Sequence, residues 1–269
     1  MMGVNDLSLR KKIGLELFHR YKAAKIREHA LTYLMWECTL RCNLACKHCG
    51  SDCRKNMSQQ DMPLADFLNV VDRITPHVDT HQTMIVITGG EPLLRKDLEE
   101  CGKELYKRQY PWGIVSNGFA MTANRLDSLL ASGLCSVTIS LDGLEETHNQ
   151  MRGHKHSFQQ ATQAIWLLVE RQEELIFDVV TCVSARTFPQ LSLLKELLIG
   201  MGVRRWRIFT IFPIGRAAQH EDLQLAPRQF KELFDFIRDT RKEGRIHLSY
   251  GCEGYLGSYE MEVRDQFFF

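Results

Sequence analysis

Cys42, Cys46 and Cys49 stand as C-x-x-x-C-x-x-C, with all three thiols inside one short run. Three close thiolates can hold three irons of a four-iron cluster and leave the fourth iron without a protein ligand. An open iron can bind and activate a substrate, which a cluster held by four thiolates does less readily. Two blander chemistries fit the same residues. Cys38 and Cys53 flank the triad, so four thiolates can make a structural zinc site, although no second knuckle follows. A cluster that only transfers electrons takes a fourth ligand, which Cys38 or Cys53 can supply.

The elements that must position these thiols alternate along the chain. Strands are predicted over Leu31–Trp36, Thr83–Thr88, Trp112–Ser116, Ser136–Leu141, Phe177–Val183 and Trp206–Phe212, which are rich in β-branched and aromatic residues. Several are near-continuously apolar, as strands buried on both faces are. Helices are predicted between them: Leu64–Ile74, Asp97–Arg108, Ala123–Ser132, Phe158–Glu170 and Pro189–Met201. The intervals are those of βαβ units, so the fold class is α/β with a parallel sheet and right-handed crossovers. Periodicity alone permits a doubly wound sheet as well as an open barrel. A further helix, Pro227–Glu243, leads to a strand at His247–Tyr250.

An N-terminal amphipathic helix is predicted over Leu7–Ala30, with Leu9, Ile13, Leu17, Tyr21 and Ala24 recurring at helical spacing. It is expected to dock on the main domain; a membrane-surface or partner role is the sharper reading. The chain divides into this helix (1–30), a core (31–216) and a C-terminal helix with linker (217–269). It stops at Phe267, Phe268 and Phe269, an apolar end that suggests continuation into another domain.

The composition is that of a globular protein of 269 residues with net charge +1, and no global field favours nucleic acid. No apolar run reaches the roughly 18 residues of a membrane span. Nine cysteines, five of them between Cys38 and Cys53, suit a metal site in a reducing cytoplasm better than a disulfide framework. Cys101, Cys135 and Cys182 read as buried inert thiols, and Cys252 sits in a glycine-rich tail.

The strand ends are polar or glycine-rich, and ligands of α/β folds bind at carboxyl ends. The second strand runs into Gly89-Gly90-Glu91-Pro92. Glycines let backbone approach a ligand, their carbonyls can accept from an ammonium, and Glu91 adds negative charge; a plain strand-to-helix turn explains them too. The third strand ends Ser116-Asn117-Gly118, where small side chains can meet a ligand or cap a turn. The fourth ends Ser140-Leu141-Asp142-Gly143, and an acidic side chain suits paired hydroxyls or a helix cap. Arg152 can hold a carboxylate. His148 reads as a packed or capping histidine.

Together the cysteine triad, Gly-Gly-Glu-Pro, Ser-Leu-Asp-Gly, His148-x-x-x-Arg152-Gly153 and Pro213-x-Gly215-Arg216 resemble the radical S-adenosylmethionine (radical SAM) superfamily, in its SPASM-associated branch. His48 stands where that family usually carries an aromatic. The resemblance implies a partial (β/α)6 barrel. It implies a [4Fe–4S] cluster on Cys42, Cys46 and Cys49, with SAM chelating the open iron. It places SAM beside Gly89, Gly90, Glu91, Ser116, Asn117, Ser140, Asp142 and Arg152, and adenine beside Ile211, Phe212 and Gly215. No residue is assigned a catalytic role. The expected reaction is reductive SAM cleavage to a 5′-deoxyadenosyl radical, fed by an external flavodoxin- or ferredoxin-like one-electron reductant. The radical takes hydrogen from a peptide or protein, as in maturases. A small-molecule substrate, as in GTP-cyclase-like or haem-modifying members, is the alternative, and a non-enzymatic iron–sulfur or zinc protein is another. Auxiliary clusters belong only to a SPASM domain absent from these residues, and within the branch the resemblance extends to members paired with a lipoprotein.

Overall fold

A computed structural model describes residues 8–28, 30–252 and 256–264. Seven strands form one all-parallel sheet in sequential order: β1 (Tyr33–Thr39), β2 (Met84–Gly89), β3 (Trp112–Ser116), β4 (Leu134–Ser140), β5 (Ile176–Val183), β6 (Arg205–Thr210) and β7 (His247–Tyr250). Sequential order excludes the doubly wound alternative, in which strand order reverses at a switch point. The sheet is an open barrel, with β1 and β7 as its edge strands among the described residues.

The intervening helices are α2 (Leu64–Ile74), α3 (Leu98–Lys107), α4 (Ala123–Leu130), α5 (Glu145–Arg152), α6 (Ser157–Val169), α7 (Leu191–Gly200) and α8 (Pro227–Glu243). Alternate strand residues such as Ile85, Ile87, Ile114, Val137, Ile139, Val179, Trp206 and Ile208 are buried with helix residues Phe67, Leu98, Leu105 and Ile165 in one core. Burial of such side chains stabilises the sheet by about 1.5–3 kcal/mol each. The other face is largely apolar but carries polar and charged residues as well. It lines a cavity of about 390 Å³ with residues from all seven strands, including Ser136, Thr138, Asp178 and Arg207.

Two expectations change. A helix α1 forms over Leu9–Glu28, but it is not docked: Leu9 is 74% exposed and Tyr21 51% exposed, and Ile13 and Leu17 are exposed between them. Residues four apart drift about 40° per step round a helix, so the apolar row spirals and no continuous stripe forms. Helix α5 went unpredicted because Glu145-Glu146-Thr147-His148-Asn149-Gln150 carries no apolar period. Its acidic first turn and the left-handed Gly153 after it were the available signals. Phe267–Phe269 lie outside the described residues, as do residues 253–255 of the tail. Among the described residues, no helix is long and apolar enough to cross a membrane.

Candidate functional site

At the carboxyl ends of the strands lies a second cavity, of about 140 Å³. Cys42, Cys46, Cys49 and Cys53 line it, with His48, Gly89, Gly90, Ser116, Asn117, Ser140, Arg152 and Arg216. Cys38 does not; it is buried in the main core, where burial pushes its thiol up to about 12.

Backbone fit holds the cysteine loop in place. A Cβ on Gly89 would lie 2.4 Å from the Thr39 carbonyl oxygen, and one on Gly90 would lie 2.1 Å from that of Arg41. The Gly90 and Glu91 amides donate to those same oxygens, at 2.7 and 3.0 Å. Gly215, in the left-handed region, sits as tightly against the Cys49 and Gly50 carbonyls. The Gly-Gly pair thus admits the protein's own cysteine loop. Gly90→Ala is expected to push that loop away, costing about 1–3 kcal/mol and lowering iron per chain after reconstitution. Wild-type iron content in that variant would count against this packing role.

Side chains complete the clamp. Arg95 donates to the Cys38 carbonyl at 2.7 Å, and its guanidinium lies over Trp36, which stacks on Phe67. Arg216 donates from Nε to the Cys46 carbonyl at 2.8 Å and from Nη1 to the Cys53 carbonyl at 2.7 Å. Its backbone amide donates to the Cys49 carbonyl at 2.9 Å. The Pro-x-Gly-Arg motif therefore contributes through Gly215 and Arg216. Ile211 and Phe212, expected beside adenine, are not among the residues lining the cavity, and Phe212 is 58% exposed.

Three residues expected at a ligand have partners within the chain. Glu91 is fully buried; its carboxylate accepts from Ser116 Oγ (2.8 Å), the Asn117 amide (2.8 Å) and the Leu93 amide (3.1 Å). It braces the ends of β2 and β3, and burial raises its pKa against those bonds. Asp142 is also fully buried and pairs with the Arg152 Nε at 2.6 Å, with His48 Nε2 3.3 Å away. The carboxylate expected for Arg152 is thus Asp142. Burial opposes the charge on Asp142, but Arg152, then His48 and His148, hold it down to about 2. Arg152 also reaches the Cys46 Sγ at 3.7 Å, and its carbonyl accepts from the Ala45 amide.

His48 is held neutral, at about 4, chiefly by burial, with Asp142 opposing and Arg152 assisting. Its Nε2, Asp142 and the Cys182 thiol lie within 4.8 Å of one another. A second metal ion there would have to displace the Arg152 guanidinium, so the arrangement reads as an ion-pair lock. Cys182, half-buried beside Asp142, keeps its proton because burial and that carboxylate raise its pKa.

His148 packs as the sequence suggested. Its Nδ1 accepts from the Asp142 amide at 3.0 Å, which places its proton on Nε2, facing Ser157 Oγ at 3.0 Å. Burial, then Arg152, lowers its pKa to about 3. The unfolded chain protonates first, so stability is expected to fall as pH drops from about 6.5 toward 3, by up to about 1.4 kcal/mol per unit. A denaturant series for wild type and His148→Gln checks this; equal slopes would rule His148 out. Asp142 acts in a lower window, its contribution being lost as pH falls through about 2.

The cavity suits an iron–sulfur cluster and a polar nucleotide. Its donor set is sulfur, as such clusters require, and the buried His48 Nδ1 on its wall makes no hydrogen bond among the described residues. Burial raises the Cys42 and Cys46 thiols, Cys42 to about 11, so metal uptake must release protons there. Cys49 differs: a hydrogen bond from Cys53 brings it to about 5 against burial, with Arg216 assisting.

Residues 36–184 match the radical SAM superfamily. The chain belongs to that superfamily. It is 28% identical over 224 residues to the AdoMet-dependent heme synthase of Oleidesulfovibrio alaskensis, covering 83% of this chain and 56% of that one. It is 27% identical over 215 residues to the sporulation killing factor maturation protein SkfB of Bacillus subtilis, covering 78% and 50%. Streptococcus suis SuiB bound to its precursor peptide SuiA shares the fold, with a TM-score of 0.64 at 16% identity over 94% of this chain and 57% of that one. The maturase relatives agree with the SPASM-associated resemblance of the motifs. The chain spans about half the length of the curated relatives it matches. As a radical SAM protein it is an enzyme that uses a [4Fe–4S] cluster and SAM.

Proposed function

We propose that Cys42, Cys46 and Cys49 ligate the cluster and that Gly89, Gly90, Asn117, Ser140 and Arg152 face SAM. When bound, cluster and SAM supply a 5′-deoxyadenosyl radical after one-electron reduction by an external flavodoxin- or ferredoxin-like protein. The chain's own residues fix the cofactors and exclude water. Arg216 and the glycines hold the cysteine loop, and Asn117 directs its amide toward Cys42 Sγ at 3.8 Å. Asp142 and Arg152 set Cys46, while Glu91 keeps the strand ends in register. The substrate sits in the sheet's cup, next to this site, because Val115 lines both cavities.

The substrate in this reading is a peptide or protein segment. One observation carries it: β1 and β7 do not pair with each other among the described residues, and Met35 of β1, which lines the cup, is 66% exposed, so an extended chain can enter from that side without threading. A small molecule is the second reading, supported by the likeness to heme synthases. Nine cysteines without a disulfide among the described residues favour a reducing compartment such as the cytoplasm. Anaerobic incubation with SAM, a reductant and a co-expressed peptide tests the reading. Deoxyadenosine together with a change in peptide mass supports it; deoxyadenosine with unchanged peptides and a modified tetrapyrrole overturns the peptide assignment.

A further inference from the structure

The 390 Å³ cavity in the cup has a charged wall that the cluster site does not use. Its size is that of a small-molecule or side-chain pocket. Two guanidinium groups, Arg205 and Arg207, line it against one carboxylate, Asp178. Asp178 is already engaged. It accepts from Thr138 Oγ1 at 2.6 Å and pairs with Arg207 Nη2 at 2.8 Å. Arg207 Nη2 also donates to Thr138 Oγ1 at 3.2 Å, and its guanidinium lies 5.6 Å from the Phe209 ring centre.

These contacts fix the guanidinium through Nη2 but leave a buried donor unused. Arg207 Nε is buried and has no acceptor among the described residues. A buried donor without a partner is costly, and an acceptor brought by a ligand removes that cost. A carboxylate suits the position best: it accepts a charge-assisted hydrogen bond from a guanidinium, which is stronger than one from a neutral acceptor. Thr138, Asp178 and Arg207 lie on adjacent strands, so β4, β5 and β6 present one preformed unit.

We propose that the substrate carries a carboxylate that binds Arg207 in the cup, with Asp178 and Thr138 as positioning residues. The proposal rests on the reading that substrate occupies this cup. A carboxylate can come from an acidic peptide side chain or from an acid arm of a small molecule, and two probes separate them. One is a blocked glutamate–alanine hexapeptide, compared with its glutamine counterpart. The other is coproporphyrin III, a tetracarboxylate, compared with its tetra-amide.

Binding of each pair is measured on the intact chain and on D178N/R207Q, which removes both charges and leaves neither buried alone. At least one carboxylate probe is expected to bind wild type roughly tenfold or more tighter than its uncharged counterpart. The double variant is expected to lose that preference while retaining its melting behaviour and its affinity for SAM. The peptide pair responding assigns a peptide acid; the porphyrin pair responding assigns a small-molecule acid. No preference in wild type for either carboxylate, or a preference that survives in D178N/R207Q, overturns the proposal. Should the variant fail to fold, the wild-type comparison decides alone. Failure of reconstituted wild type to bind SAM would instead refute the functional reading.

Discussion

Replacing Cys42, Cys46 and Cys49 together by alanine is expected to take iron from about four per chain to near none and to abolish deoxyadenosine formation. The three thiols line one cavity, while Cys38 is sequestered in the core, so only Cys53 remains nearby and a single thiol cannot replace the set. Cys53 is the informative control because it lines the same cavity. Cys53→Ala is expected to retain iron and SAM cleavage. If that variant lost the cluster as fully as the triple variant, four thiolates would be needed and the open-iron account would be wrong.

Asp142→Asn is expected to destabilise the protein by about 3–5 kcal/mol, since it strands the buried Arg152 charge. For a chain of this size that lowers the melting temperature by roughly 10 °C. Iron uptake should fall too, because Arg152 touches the Cys46 sulfur and its carbonyl holds the Ala45 amide. Adding Arg152→Gln removes the stranded charge and should restore part of the stability, though not the iron. Scanning calorimetry of the two single variants and the double variant measures this. A near-neutral Asp142→Asn would show that water or His48 compensates Arg152 and that no lock exists.

Sequence showed most of the frame. Strands β2 to β6 were visible because their core-facing residues are β-branched or aromatic, and the thiols because their spacing is local. What stayed hidden depends on contacts between distant residues. Gly89 and Gly90 read as a ligand cradle, yet their neighbours are Thr39 and Arg41, which nothing in local spacing reveals. Asp142 and Arg152 read as separate ligand contacts, and their pairing across the full burial of Asp142 is invisible in a sequence. Arg216 was visible as part of a motif, but its grip on the Cys46 and Cys53 carbonyls was not. The polar α5 gave no periodic signal at all.

Mössbauer spectroscopy of anaerobically reconstituted wild-type protein, before and after SAM is added, tests the central claim most directly. The account predicts a [4Fe–4S] spectrum in which one iron is distinct from three, and in which SAM shifts that iron alone. Four equivalent, fully thiolate-bound irons that do not respond to SAM would contradict it.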